Sequence, residues 1–129
     1  MPDKKFVSIA FVVFLVSSFL LSATEYRTEE KAVKMPDGVK VIIEKSCFGC
    51  HNTDSKNDKA KEKLDLKTLD QLTKNKMIAS LKEISETIEE NEMPPAKFLE
   101  KFPDKKLTDA EKKILMEWAN SEAKALVKQ

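Results

Sequence analysis

The strongest constraint on this chain is the five-residue pattern C-x-x-C-H at positions 47–51. On a helical turn Cys47 and Cys50 face the same side, and His51 joins them one residue later. Each of the two thiols can bond to one vinyl group of a porphyrin, and the adjacent imidazole then lies beneath the iron as a ligand. The spacing therefore predicts one covalently attached haem c, held by Cys47 and Cys50, with His51 as the proximal iron ligand.

Other chemistries also use a C-x-x-C pair. A zinc site needs about four ligands, whereas the chain has two cysteines and one histidine in all. A redox-active dithiol or a structural disulfide stays open from the pair alone. The histidine that directly follows the second cysteine, together with an export signal upstream, favours haem attachment over that alternative.

The amino terminus has the pattern of an export signal. Lys4 and Lys5 precede an apolar run over residues 6–23, and small residues at its end offer a cleavage site. The run is also at the lower limit for a membrane-spanning helix. Residues 1–23 are therefore predicted to be a cleaved signal peptide or, alternatively, a retained membrane anchor. In both cases the remainder is expected in the periplasm or on the outer face of the cytoplasmic membrane.

Two further segments follow the apolar run. Residues 24–35 are polar and lack apolar periodicity, which predicts a flexible tail. Residues 36–129 are predicted to form one small c-type haem-binding domain. The chain carries 23 basic and 22 acidic residues, a balance that argues against nucleic-acid binding. Because a domain this small buries little of its own surface, a porphyrin in its core would supply much of the cohesion.

Apolar periodicity predicts an all-α fold with no convincing strand. A first helix is expected to begin near Asp37, as its N-cap, and to run into the C-x-x-C-H turn. Its apolar face consists of Val39, Ile42, Ile43 and Ser46. A second, longer amphipathic helix is predicted over residues 74–91. The apolar face of that helix consists of Met77, Leu81, Ile84 and Ile88.

A last helix is predicted from Thr108 to about Val127, because Thr108 and Glu111 have the spacing of a capping box. Its apolar side is expected to include Ile114, Leu115, Trp118 and Ala119. Residues 52–63 are polar and are expected to form a surface loop. Lysines and acidic residues alternate there, which favours a solvated surface over a docking patch for an acidic redox partner.

The second axial position of the iron has several candidates. His51 is the only histidine of the chain, so a second imidazole is excluded. Met93 precedes two prolines that cannot continue a helix, and a thioether on such a stiff loop loses little entropy on binding. Met35, Met77 and Met116 are alternatives, but methionines on amphipathic helices usually fill cores. The many lysines are disfavoured because their ammonium groups prefer water, so Met93 is the predicted ligand.

Taken together, these motifs resemble the haem-binding domain family of small single-haem c-type cytochromes and, more broadly, class I cytochrome c. The resemblance rests on the C-x-x-C-H turn, on residues 92–95 and on residues 107–111, which lead to Trp118. It implies a helical fold around one haem, contact between the first and last helices, and His51 and Met93 as the axial pair. Residues 52–72 lack the proline–aromatic stretch common in relatives, so the propionate edge is expected to differ in shape from theirs. Because Arg27 is the only arginine, lysines, backbone amides or Trp118 are expected to hold the haem propionates.

The expected function is electron transfer, with redox proteins of the cell envelope as partners. A haem with both axial positions filled has no place for a substrate, and histidine–methionine ligation favours reduced iron. No acid–base constellation is evident, so an enzyme is not expected. The alternative is a haem-based gas sensor or weak peroxidase whose sixth position is open or labile. A haem-free dithiol protein of the envelope is the third hypothesis.

Overall fold

The computed structural model of this protein describes residues 33–128. Five α-helices and two 3₁₀ turns form this part of the chain, in which no strand occurs. The helices are α1 (Asp37–Ser46), α2 (Asp58–Lys63), α3 (Lys74–Glu89), α4 (Ala96–Leu99) and α5 (Asp109–Val127), and the 3₁₀ turns are Leu69–Gln71 and Pro103–Lys105. The all-α prediction is confirmed. The predicted export signal and most of the predicted tail lie outside the described residues.

The core lies where α3 and α5 pack against each other and α1 packs on α5. Leu81 of α3 and Leu115 of α5 are completely buried, each at 0% exposure. The predicted inward face of α1 is confirmed, because Val39, Ile42, Ile43 and Ser46 are its buried residues. Trp118 belongs to the same core cluster as the aliphatic residues of α1, so the expected contact between the first and last helices is confirmed.

Of the N-cap predictions for the first and last helices, one is confirmed and one is wrong. The capping box of α5 is confirmed, since the Glu111 N–H donates to Thr108 Oγ1 at 3.2 Å and the Thr108 N–H donates to Glu111 Oε2 at 2.8 Å. The N-cap prediction for Asp37 is wrong, because Pro36 occupies that position and Asp37 is already helical. Its carboxylate instead complements the positive end of the helix dipole.

The segment predicted to be a loop over residues 52–63 contains α2. Its cap is the Asn57 side chain, which accepts from the Ala60 N–H at 3.2 Å. Periodicity missed this helix because α2 buries none of its residues. A second prediction also fails, since Ile114 is 44% exposed. It lies beside the buried stripe of α5, which runs through Leu115, Trp118, Ala119, Ala123 and Leu126.

Residues 33–35 lie against the domain. Val33 and Met35 pack on the core, and the Lys34 N–H donates to Glu122 Oε2 at 2.9 Å. The Trp118 indole N–H donates to the Lys34 carbonyl at 2.8 Å. The packed region therefore begins no later than Val33. Within residues 33–128, no helix combines the length and the apolar character needed to cross a membrane.

Candidate functional site

A cavity of about 320 Å³ is bounded by the end of α1, by α2 and α3, and by the loop that leads into α4. The four residues that the sequence nominates, Cys47, Cys50, His51 and Met93, all line it. Its apolar walls are Leu64, Ile84, Ile88, Pro94, Phe98 and Leu107. A largely apolar cavity of this size with a few convergent ligating groups is typical of a cofactor site.

The C-x-x-C-H turn continues directly from α1. The N–H groups of Cys47 and Phe48 both donate to the Ile43 carbonyl at 2.8 Å, which tightens the last turn of the helix. The N–H groups of Cys50 and His51 both donate to the Cys47 carbonyl at 3.1 Å. The turn therefore keeps both thiols and the imidazole on one wall of the cavity, and the two cysteines are not joined by a disulfide.

The imidazole of His51 is held by two backbone carbonyls. Its Nδ1 lies 3.0 Å from the Ala60 oxygen and 3.1 Å from the Leu64 oxygen. Because carbonyl oxygens only accept, Nδ1 must carry the proton, and the lone pair of the neutral ring is then on Nε2. Such a second contact fixes the orientation of a metal-binding histidine and raises its basicity. Helix α2, which the sequence did not predict, supplies one of the two acceptors, the Ala60 carbonyl.

Further polar contacts hold the segment after the turn. The Asn52 side-chain amide donates to the Phe48 carbonyl, and Asn52 Oδ1 accepts from the Asp54 N–H at 2.8 Å. The Ser55 hydroxyl donates to the Gly49 carbonyl at 3.2 Å. Asn52 and Ser55 are both only 8% exposed. Sequence reasoning missed these two residues, because polar residues carry no periodicity that separates buried from solvated ones.

Met93 reaches the cavity from the loop after α3. That helix ends in a Schellman motif, with the Asn91 N–H donating to the Ile88 carbonyl at 3.1 Å and the Glu92 N–H to the Thr87 carbonyl at 2.9 Å. The chain then leaves the helix axis, Pro94 is buried, and Met93 is half-buried against the cavity. As predicted, Met93 does not lie on a helix.

The other methionine candidates lie elsewhere. Met77 is 6% exposed within the core, and Met35 and Met116 pack on its periphery. None of the three lines the cavity. Trp118 does not line it either, and its only donor is engaged by Lys34. Trp118 is therefore removed from the groups expected to hold haem propionates.

The electrostatics of the cysteine pair argue against a redox-active dithiol. Burial, and secondarily the proximity of Cys50, raises the pKa of the Cys47 thiol to about 11. Catalytic dithiols instead need a thiol whose pKa is depressed, because the thiolate is the nucleophile.

A zinc site is not supported either. Among residues 33–128 no group of three or more histidine, cysteine or acidic side chains is arranged to hold a metal ion.

One buried side-chain polar atom has no hydrogen-bond partner within the described part of the chain. This atom is Ser46 Oγ, directly before Cys47. A buried hydroxyl left without a partner costs about 1–3 kcal/mol.

The family model described as Haem-binding domain matches residues 54–121. These residues are more than half of the 129-residue chain. This chain belongs to the haem-binding domain family. The match begins after His51, so the C-x-x-C-H turn is a separate indication of the same cofactor. Neither the curated proteins nor the solved structures include a match to this haem-binding domain.

The residues of this haem-binding domain fit a haem. An imidazole with its Nε2 lone pair available, a methionine thioether and two thiols share one cavity, and the walls between them are apolar. The matched stretch contains the carbonyl acceptors of His51, the Met93 loop and most of α5. The resemblance seen in the sequence is confirmed at the level of the family.

Proposed function

We propose that this haem-binding domain is an exported single-haem c-type cytochrome that carries electrons between redox proteins of the cell envelope. In this proposal Cys47 and Cys50 attach the haem through thioether bonds, and His51 and Met93 are its axial ligands. One observation carries the proposal: a tautomer-fixed imidazole and a methionine from a distant part of the chain line the same apolar cavity.

Bound haem would supply an iron atom that gains and loses one electron. The chain contributes the setting for that change. His51 presents Nε2 because Nδ1 donates to Ala60 and Leu64. The Met93 thioether favours the reduced iron and so raises the reduction potential. Apolar walls act in the same direction, because they exclude the water that would stabilise the additional charge of ferric iron.

Electron transfer is favoured over catalysis because the chain has no second histidine for proton transfer. Pro94 and Phe98, which line the cavity beside Met93, are apolar, and the hydroxyl of Thr87, which also lines the cavity, already donates to the Glu83 carbonyl at 2.8 Å. Export to the periplasm, or retention on the outer face of the membrane, is supported by the amino-terminal sequence pattern.

The test is to produce the full chain in an exporting host with haem-maturation machinery. We expect a mass increase of one haem and a ferric spectrum with the weak near-infrared band of methionine–iron ligation. Met93→Leu should abolish that band, because leucine keeps the volume and lacks the sulfur. Met77→Leu is the matched control, since Met77 is buried outside the cavity, and it should keep the band.

Two outcomes would contradict the proposal. A resting spectrum of high-spin iron in the unmutated protein would show an open sixth position and favour the gas sensor or weak peroxidase. Colourless exported protein with free or disulfide-bridged thiols would exclude covalent haem and favour the dithiol protein.

A further inference from the structure

A single hydrogen bond between side chains ties the start of the Met93 loop to α5. Lys112 Nζ donates to Asn91 Oδ1 at 2.6 Å. Lys112 lies in the first turns of α5, its side chain is 23% exposed, and its Nζ is also 3.6 Å from Asp109 Oδ1. Asn91 stands two residues before Met93. The contact therefore joins the end of α3 to the beginning of α5, at a residue that stands between Ile88 and Met93, both of which line the cavity.

Asn91 has an unusual backbone conformation. Its φ is 60°, the only positive value at a non-glycine residue among residues 33–128. Asparagine tolerates this left-handed conformation better than most residues. Asn91 occupies the position of the Schellman motif at which glycine is the usual residue. The asparagine side chain adds what glycine lacks, a carbonyl oxygen that accepts from Lys112.

We infer that Asn91 and Lys112 are positioning residues that keep the Met93 thioether within reach of the iron. The inference rests on the proposed function. The Schellman motif sets where α3 stops, and the Lys112 contact sets the loop against α5. The two prolines after Met93 make the loop stiff, so the position of its anchored end is transmitted to the sulfur. A loop held in advance loses less entropy when a weak ligand binds.

The stiffness of the loop alone does not place the sulfur. A rigid segment that pivots about an unanchored end would swing the thioether away from its place in the cavity. Glu92 is exposed and makes no side-chain hydrogen bond within the described residues, so it does not substitute for the anchor. The side-chain hydrogen bonds of Asn91 are therefore the nearest to Met93 along the described chain, and the one from Lys112 connects the loop to α5.

The experiment uses the matured, haem-loaded full chain and titrates ferric protein with imidazole, which competes with Met93 for the iron. Asn91→Gly keeps the left-handed conformation and removes the side-chain acceptor, together with the local hydrogen bond from Asn91 Nδ2 to the Glu89 carbonyl at 3.2 Å. Lys112→Met keeps the aliphatic stem and removes the donor. Loss of one such hydrogen bond corresponds to about a tenfold change in an equilibrium. We expect each variant to bind imidazole about tenfold more tightly than the unmutated protein.

Two controls separate positioning from general destabilisation. Lys113→Met removes the neighbouring lysine, which is 74% exposed and pairs with Glu117 at 3.8 Å. Leu126→Ala weakens the core near the other end of α5. Both should leave the imidazole affinity unchanged. The double variant of Asn91→Gly and Lys112→Met should bind imidazole no more tightly than either single variant, because both remove the same contact.

Unchanged imidazole affinity in both single variants would overturn the positioning inference and leave the proposed function intact. The proposed function fails separately if Met93→Leu itself leaves imidazole affinity unchanged, because Met93 is then not the group that imidazole displaces. In that case the inference fails with it.

Discussion

The two walls of the cavity are built in different ways. The His51 wall is held by contacts that are short along the chain: the ring contacts the carbonyls of Ala60 and Leu64, 9 and 13 residues away. The Met93 wall depends on a contact between Asn91 and Lys112, 21 residues apart, and on the packing of α3 against α5. The His51 wall therefore depends on contacts between residues close in the sequence, which we call the local wall. The Met93 wall depends on the packing of distant helices, and we call it the tertiary wall.

This difference matches the strengths of the two proposed ligands. His51 would stay bound through each oxidation and reduction of the iron. Its position is set by α2 and by Leu64, which directly follows that helix. The Met93 thioether would be the more easily displaced ligand, and the position of Met93 depends on the packing of α3 against α5. Damage to the first turns of α5, where Lys112 contacts Asn91, should therefore loosen the methionine before it affects the histidine.

The largest expected effect comes from breaking the local wall. Cys47→Ser combined with Cys50→Ser should yield protein without covalent haem by mass and without a cooperative thermal transition, because the apolar walls of the cavity are then exposed to water. Circular dichroism on heating measures this. Gly38→Ala is the control at the other end of α1, since an added Cβ meets no atom within 4 Å there and Gly38 does not line the cavity. A cooperative melt of the double variant would show that the helices fold without the cofactor.

A smaller effect is expected from weakening the tertiary wall. Leu115→Ala should lower the free energy of unfolding by about 2–5 kcal/mol, because it opens a cavity at a fully buried position. Ile114→Ala, at the neighbouring exposed position, should change it by less than about 0.5 kcal/mol. Guanidinium denaturation measures both. Covalent haem should remain in each variant, and equal losses of stability would mean that α5 does not bury the face described.

The smallest effect concerns an ion pair that joins α1 to α5. Lys45 Nζ lies 2.6 Å from both carboxylate oxygens of Glu111. This contact first, and the Thr108 N–H second, lowers the pKa of Glu111 below its ordinary 4.5. A lowered pKa in the folded state means that the stabilisation is complete above the ordinary value and is lost as pH falls through the folded value.

Glu111→Gln should therefore lower stability at neutral pH by no more than about 1 kcal/mol. The melting temperatures of variant and unmutated protein should converge as pH falls below 4.5. Glu117→Gln, at a position 67% exposed on the same helix, should show no such convergence. If the difference in melting temperature between Glu111→Gln and the unmutated protein does not change with pH, the ion pair is not the cause of that difference.

Sequence reasoning reached the parts of the site that depend on residue type and spacing. The cysteine pair and His51 follow from five consecutive residues, and Met93 follows from the two prolines after it. It failed for α2, which has no buried face, and for Ile114, whose exposure depends on how α5 is rotated in the packed core. Asn52 and Ser55 escaped it as well, because their hydrogen bonds are visible only in the folded chain.

By itself the sequence determined which groups are available: two thiols and an imidazole in one helical turn, and a thioether on a segment that cannot be helical. These properties follow from covalent structure and from short-range backbone geometry. Only the tertiary structure decided that the four groups face one cavity, which nitrogen of His51 is free, and that Lys112 holds the loop before Met93. Those outcomes depend on contacts between residues distant in the chain, which form only when the long helices bury their apolar faces together.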